Sequence, residues 1–210
     1  MAGKKLCIGL TGRMGSGKGE AVRILEQRGF SYVSLSDIVR REAARAGGET
    51  APSARGGTTP SVRGETVTRG RMQDIGNRLR KEGGAGVLGR LVREQVTAAS
   101  EARWVIDGIR NPAEVLELRK IADFFLVGID CDVPIILERM RQRGRATDRT
   151  GERELRAALE REWGRGEPEG GQQVGPTMAM ADFTVCNNGT RAELKARLEE
   201  ILGNIGAEHE

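Results

Sequence analysis

A glycine-rich turn set between a short apolar strand and an amphipathic helix constrains this chain more than any other feature. Lys5–Leu10 (KLCIGL) is a continuous apolar run of strand length, and Gly19–Arg28 reads as a helix with Ala21, Val22, Ile24 and Leu25 as its inner stripe. Between them, Gly12-Arg13-Met14-Gly15-Ser16-Gly17-Lys18 satisfies G-x-x-x-x-G-K. Glycines let the backbone curl until successive N–H groups point inward at phosphate oxygens. The helix that follows adds its positive N-terminal end, and Lys18 reaches the β- and γ-phosphates of ATP. The expected ATP contacts are therefore Gly12, Arg13, Met14, Gly15, Ser16, Gly17, Lys18, Gly19 and Glu20. Gly19 stands where such loops carry the Ser or Thr that holds Mg²⁺ directly. Magnesium then has to be held mainly by ATP oxygens, water and a carboxylate. Glu20 suits that role through water, and equally suits a helix N-terminus through the dipole alone.

Downstream, strands and helices alternate. Further strands are expected at Ser31–Leu35, Trp104–Asp107, Phe124–Ile129 and Phe183–Cys186. Helices are expected at Asp37–Ala46 with Ser36 as cap, at about Arg69–Lys81 and Gly86–Ala99, and after Asn111–Pro112, where Pro is tolerated in the first turn. Val133–Arg143, Gly151–Trp163 and Thr190–Leu202 complete the helices, with a Gly/Pro-rich connection over Gly164–Pro176. Continuous apolar strands alternating with helices predict a five-stranded parallel sheet covered on both faces. Residues 47–66 break the pattern, since thirteen of those twenty are Gly, Pro, Ser or Thr; they read as a mobile surface insertion in one domain spanning 1–210.

Composition removes several classes. A single histidine, His209, excludes His-based triads and His-pair metalloprotease sites, and Cys7, Cys131 and Cys186 lie far apart without zinc or redox spacing. The longest apolar run is strand-sized, so no membrane span is expected, and the N-terminal run meets Arg13 too soon for a signal peptide. The chain reads as soluble, reduced and cytoplasmic. Net charge is +4, and 28 of the 34 positive residues are Arg, whose planar fork suits phosphate oxygens. Arg, Ala and Gly are abundant together, so compositional bias accounts for much of that excess, and only arginines at particular places count. Seven aromatics offer few stacking platforms for bases, which makes nucleic acid a less favoured partner than a small molecule.

The form IGLTGRMGSGKG, with glycine after the lysine, resembles the adenylate kinase branch of the P-loop nucleoside monophosphate kinases and is similar to dephospho-CoA kinases. The resemblance covers most of the chain outside 47–66 and the extreme C-terminus. It implies a P-loop NTPase fold of three α/β/α layers, ATP and Mg²⁺ as cofactors, and a nucleotide-like small molecule as acceptor. Ser34–Arg40 (SLSDIVR) resembles the segment where an Asp and, three residues on, an Arg mark the acceptor site. That implies acceptor roles for Asp37 and Arg40. In the dephospho-CoA kinases an Asp here orients or deprotonates the acceptor hydroxyl, whereas a monophosphate acceptor needs no base. Ile106–Arg110 (IDGIR) resembles the family segment whose Arg grips the acceptor. Arg110 becomes an acceptor ligand and Asp107 the carboxylate acting on magnesium through water.

Arg139, Arg143, Arg145 and Arg149 resemble the arginine-rich lid of these kinases, placed near 139–150; such a lid neutralises the transferring phosphoryl group and excludes water. Lys18, Asp37 and Arg143 are the expected catalytic residues. Asn187–Asn188 resembles the loop that contacts adenine, and Arg69, Arg71, Gln73, Asn77 and Arg80 read as a solvated helix face in the region of the acceptor pocket. The leading expectation is an ATP-dependent kinase acting on a (deoxy)nucleoside monophosphate. The alternatives are a dephospho-CoA kinase-like enzyme, a kinase of a modified base or end in nucleic acid, and a non-catalytic ATP-binding module. No NKxD-type segment reads guanine, which disfavours a GTPase.

Overall fold

The computed structural model describes residues 5–47, 61–62, 65–66, 69–144 and 151–207. Five parallel strands form the main sheet: β1 (Leu6–Thr11), β2 (Ser31–Ser34), β5 (Arg103–Asp107), β6 (Asp123–Asp130) and β7 (Phe183–Cys186), in the order β2-β5-β1-β6-β7. The strand order reverses beside β1, so the crevice beyond its carboxyl end is where an open α/β sheet receives a ligand. Leu10 of β1 pairs with Asp107 of β5, and Thr11 with Gly128 of β6. Chain registers thus deliver Asp107 to the same end of the sheet as the glycine-rich turn.

Both faces of the central strands are covered, which is why they read as unbroken apolar runs. Cys7, Trp104, Ile106, Phe124 and Leu126 face one core together with α2 (Leu35–Gly47), α3 (Arg69–Gly83), α4 (Val87–Ala98) and α5 (Pro112–Leu118). Ile8, Leu10, Val105, Val127 and Ile129 face the other, against α1 (Lys18–Glu26) and α9 (Arg191–Asn204). A third cluster joins Met14 of the turn to α6 (Val133–Arg143) and α7 (Glu152–Trp163) through Ile136, Met140, Leu155 and Leu159. The architecture is the three-layer α/β/α arrangement with a parallel five-stranded sheet that the chain resembles.

Three local expectations are corrected. Ser36 does not cap α2: the helix begins at Leu35 directly after β2, and the Ser34 hydroxyl accepts the Ser36 N–H at 3.1 Å instead. The Gly164–Pro176 connection contains the start of a short helix, α8 (Val174–Met178), despite Gly175 and Pro176, because Pro fits a first turn. Gln73 and Arg80 on α3 are buried, not solvated, for reasons that belong to the site. Within the 47–66 segment only Gly47 and two short antiparallel strands, β3 (Ser61–Val62) and β4 (Glu65–Thr66), are described. The rest of that segment, Arg145 and Arg149 of the expected lid, and His209 lie outside the described residues. Among the described residues no helix is long and apolar enough to cross a membrane.

Candidate active site

The turn after β1 has the backbone that a phosphate cradle requires. Gly12, Gly15 and Gly17 take φ of 137°, 78° and 110°, in the region that only glycine enters cheaply. Packing fixes two of them further: a Cβ on Gly12 would lie 2.2 Å from the Ile129 carbonyl oxygen, and one on Gly17 would lie 2.0 Å from Asn187 Nδ2. Asn187 itself donates to the Ser16 carbonyl at 2.7 Å, so the loop before α9 holds the turn from behind. Gly19 differs, since a Cβ there would meet nothing within 4 Å.

Lys18 is curled over the turn, with Nζ donating to the carbonyls of Gly12 at 2.5 Å and Arg13 at 2.9 Å. Burial lowers its pKa below the ordinary lysine value, the nearby carboxylates of Glu162 and Asp107 oppose that shift, and Arg110 and Arg143 add to it. Asp107 Oδ1 and Ser16 Oγ are buried without hydrogen-bond partners. Both atoms therefore keep hydrogen-bonding capacity that a bound group could satisfy. Among the described residues no group of three or more His, Cys, Asp or Glu could hold a metal. The donor set therefore fits Mg²⁺ only as a companion of bound phosphates, and Glu162 and Asp107 are the carboxylates whose charges act on Lys18. Glu20 is engaged elsewhere: it binds Arg191 and Arg23, and the Arg191 hydrogen bond above all holds its pKa below the usual value.

Of the expected lid, Arg139 is held by the loop before α9. Its guanidinium donates to the carbonyls of Asn187 at 2.8 Å and Gly189 at 3.1 Å, covering a hollow lined by Gly17, Glu20, Asn187, Gly189, Arg191 and Leu194. Arg143, one turn on, is exposed at the end of α6 and lies near enough to act on the Lys18 charge. Asp37 and Arg40 pair with each other at the surface of α2. Burial first, then the Asp107 carboxylate, and more weakly Asp37, push the Tyr32 hydroxyl up to about 12, with the Ser34 hydrogen bond opposing them.

Arg110 joins the two sides of the site. Its Nη1 lies 3.2 Å from Glu162 Oε1 and donates to Gln172 Oε1 at 3.4 Å. The same Gln172 oxygen accepts from buried Gln73 at 3.2 Å, while Asn77 donates to Glu167 at 2.6 Å. Arg80 and Glu114 form a buried ion pair at 2.8 Å, and Glu114 Oε2 also accepts the N–H groups of Arg110 and Asn111 at 2.8 and 3.1 Å. Gln73, Asn77 and Arg80 thus find partners 34 to 99 residues away in sequence, which is why α3 reads as a solvated face.

Glu162 is the functional candidate that motif reading misses. It is fully buried at the end of α7, where its Oε2 accepts the Met14 N–H at 2.6 Å. The next residue, Trp163, stacks under the Arg13 guanidinium at 3.9 Å. One signal was available: Leu155, Leu159 and Glu162 form a buried stripe at helical spacing, and a carboxylate on an apolar stripe demands a buried partner.

Residues 8–160 match the model of a family described as AAA domain. A UPF0200 protein of Methanoculleus marisnigri is 30% identical over 204 residues, covering 97% of this chain and 98% of that one. Another, from Thermococcus kodakarensis, is 31% identical over 201 residues, covering 93% and 96%. Among solved structures, a sugar kinase from Janibacter has a TM-score of 0.54 at 13% identity over 97% of this chain and 96% of its own. The shikimate kinase of Acinetobacter baumannii, solved with shikimate, has a TM-score of 0.52 at 16% identity over 95% and 94%. Likeness at that level is likeness of fold.

Proposed function

From a chain that belongs to the UPF0200 proteins and to the AAA domain family, we propose an ATP-dependent phosphotransferase that moves the γ-phosphoryl group to a nucleotide-like small molecule, most simply a (deoxy)nucleoside monophosphate. The observation that carries the reading is Lys18, buried on a turn of three positive-φ glycines, with the charges of Glu162, Asp107, Arg110 and Arg143 acting on it. The turn's N–H groups and Lys18 would hold the β- and γ-phosphates. The hollow under Arg139 and the loop before α9 would take adenine. Arg110 faces the acceptor side, and Arg143 would neutralise charge developing on the transferred group. Asp107 would hold magnesium through water, and the ion would supply charge neutralisation when bound. Phosphoryl transfer asks little covalent chemistry of the protein, so positioning and electrostatics suffice.

A second reading, a hydroxyl acceptor of the dephospho-CoA kind, is favoured by one feature. Asp37 pairs with Arg40 on α2, so that arginine's charge is already matched by a carboxylate and less of it is left for an acceptor phosphate. One experiment separates these readings. ADP release from Mg-ATP is followed against ribo- and deoxynucleoside monophosphates and dephospho-CoA, with Lys18→Ala as control. Turnover with a monophosphate that vanishes in Lys18→Ala supports the first, and turnover with dephospho-CoA alone supports the second. Tight ATP binding with no turnover on the whole panel would overturn both and leave a nucleic-acid kinase or a binding module.

A further inference from the structure

A phosphate cradle works by aiming N–H groups at an anion, and in this molecule one of those groups is already taken by an anion of the protein itself. Glu162 Oε2 accepts the Met14 N–H at 2.6 Å, and Oε1 lies 3.2 Å from Arg110 Nη1 without a well-formed hydrogen bond. The carboxylate is fully buried and acts electrostatically on Lys18. In charge and position it does what a phosphoryl oxygen would do: it caps a turn N–H and neutralises the cations meant for phosphate. We propose that Glu162 is a resident anion in the donor phosphate cradle, which the phosphates of the bound nucleotide displace.

This inference rests on the reading of Gly12–Lys18 as a phosphate loop. The physical argument is the incompatibility of the two anions. A buried carboxylate and a polyphosphate around the same lysine repel, and at a few ångströms that repulsion weakens binding by on the order of tenfold even when screened nearly as strongly as in water. Displacement has a structural consequence at both ends. Trp163 follows Glu162 and stacks on Arg13, so withdrawal of the carboxylate disturbs that stack. Arg110 keeps only Gln172 on its Nη1, which readies it for an acceptor after the donor has bound.

The probe is inorganic tripolyphosphate, titrated by calorimetry into wild type, Lys18→Ala and Glu162→Gln, each checked for folding by thermal melting. Binding by wild type that Lys18→Ala loses, with Glu162→Gln about tenfold tighter than wild type, is the expected result. Equal or weaker binding by a folded Glu162→Gln overturns the inference while leaving the phosphate loop standing. No Lys18-dependent binding in wild type overturns the loop reading, and the inference with it. Should Glu162→Gln not fold, wild-type fluorescence decides. Saturating tripolyphosphate should shift the Trp emission in wild type and not in Trp163→Phe, where buried Trp104 remains. Unchanged emission at demonstrated saturation would mean that Glu162 stays in place, and the inference fails.

Discussion

The two sides of the crevice are built by different means. On the proposed donor side the shape is carried by backbone: three glycines in positive φ and a lysine folded onto carbonyls five and six residues away. On the proposed acceptor side it is carried by side chains that find each other across long stretches of chain, Arg80 with Glu114, Gln73 with Gln172, Asn77 with Glu167. A motif confined to a few residues can specify a cradle for phosphate, which looks the same on every nucleotide. Selecting one acceptor needs shape and polarity drawn from several elements, and that comes only with the assembled fold.

The contrast breaks most visibly at Glu114. One of its oxygens holds Arg80 and the other holds the N–H groups of Arg110 and Asn111, all in a buried setting. Removing one partner of such a pair strands a charge, so Glu114→Ala should lose about 3–5 kcal/mol of stability. Urea denaturation checks the magnitude. Where the variant is still folded, its tripolyphosphate affinity should stay within a few-fold of wild type, because the cradle is local. A parallel collapse of phosphate binding would mean the two sides are not separable.

Gly12→Ala attacks the donor side. The new Cβ would stand 2.2 Å from the Ile129 carbonyl in a backbone that L-residues avoid. A cost of about 2–4 kcal/mol is expected, with phosphate binding lost along with the turn's shape. Thermal melting and tripolyphosphate titration read the two effects.

The charge on Lys18 gives a smaller, graded test. Its pKa is lowered in the folded protein by burial, and phosphate needs the protonated form. Affinity for tripolyphosphate should therefore fall as pH rises through that lowered value, before reaching the ordinary 10.5. Lys18→Arg should stay flat over the same range, since a guanidinium does not titrate there. Stability of the ligand-free protein moves the opposite way: the unfolded chain holds the extra proton between the two pKa values, so stability rises with pH in that window. A flat wild-type binding profile would show that Lys18 is not the phosphate ligand.

Legibility in the sequence followed the same division. The strands, most helices and the turn could be read because apolar runs, Gly and Pro act within a few residues. Phe183–Cys186 and Val133–Arg143 fall where periodicity puts them. Asp107 could be placed too, since the carboxyl end of a parallel strand faces the crevice. Gln73, Arg80 and Glu162 could not, because each is polar in isolation and becomes a core residue only through a partner outside its own helix. Arg139 shows the converse. Resemblance marks it as a lid arginine, but the carbonyls of Asn187 and Gly189 that hold its guanidinium are acceptors no spacing within α6 encodes.

The gentlest perturbation separates the glycines of the cradle from one another. Gly19 is exposed in the first turn of α1 and a Cβ there meets nothing within 4 Å, so neither strain nor packing demands glycine. Gly19→Ser should gain roughly 0.5 kcal/mol from helix propensity, a rise of about 1–2 °C in melting temperature for a chain of this size. It would also restore the hydroxyl that such loops offer to magnesium, and Mg-ATP should bind a few-fold more tightly while tripolyphosphate without metal is unaffected. A loss of stability would place Gly19 among the conformationally required glycines. A gain in stability without a gain in Mg-ATP affinity would put the metal out of reach of that position, leaving Asp107 and the phosphates as its only holders.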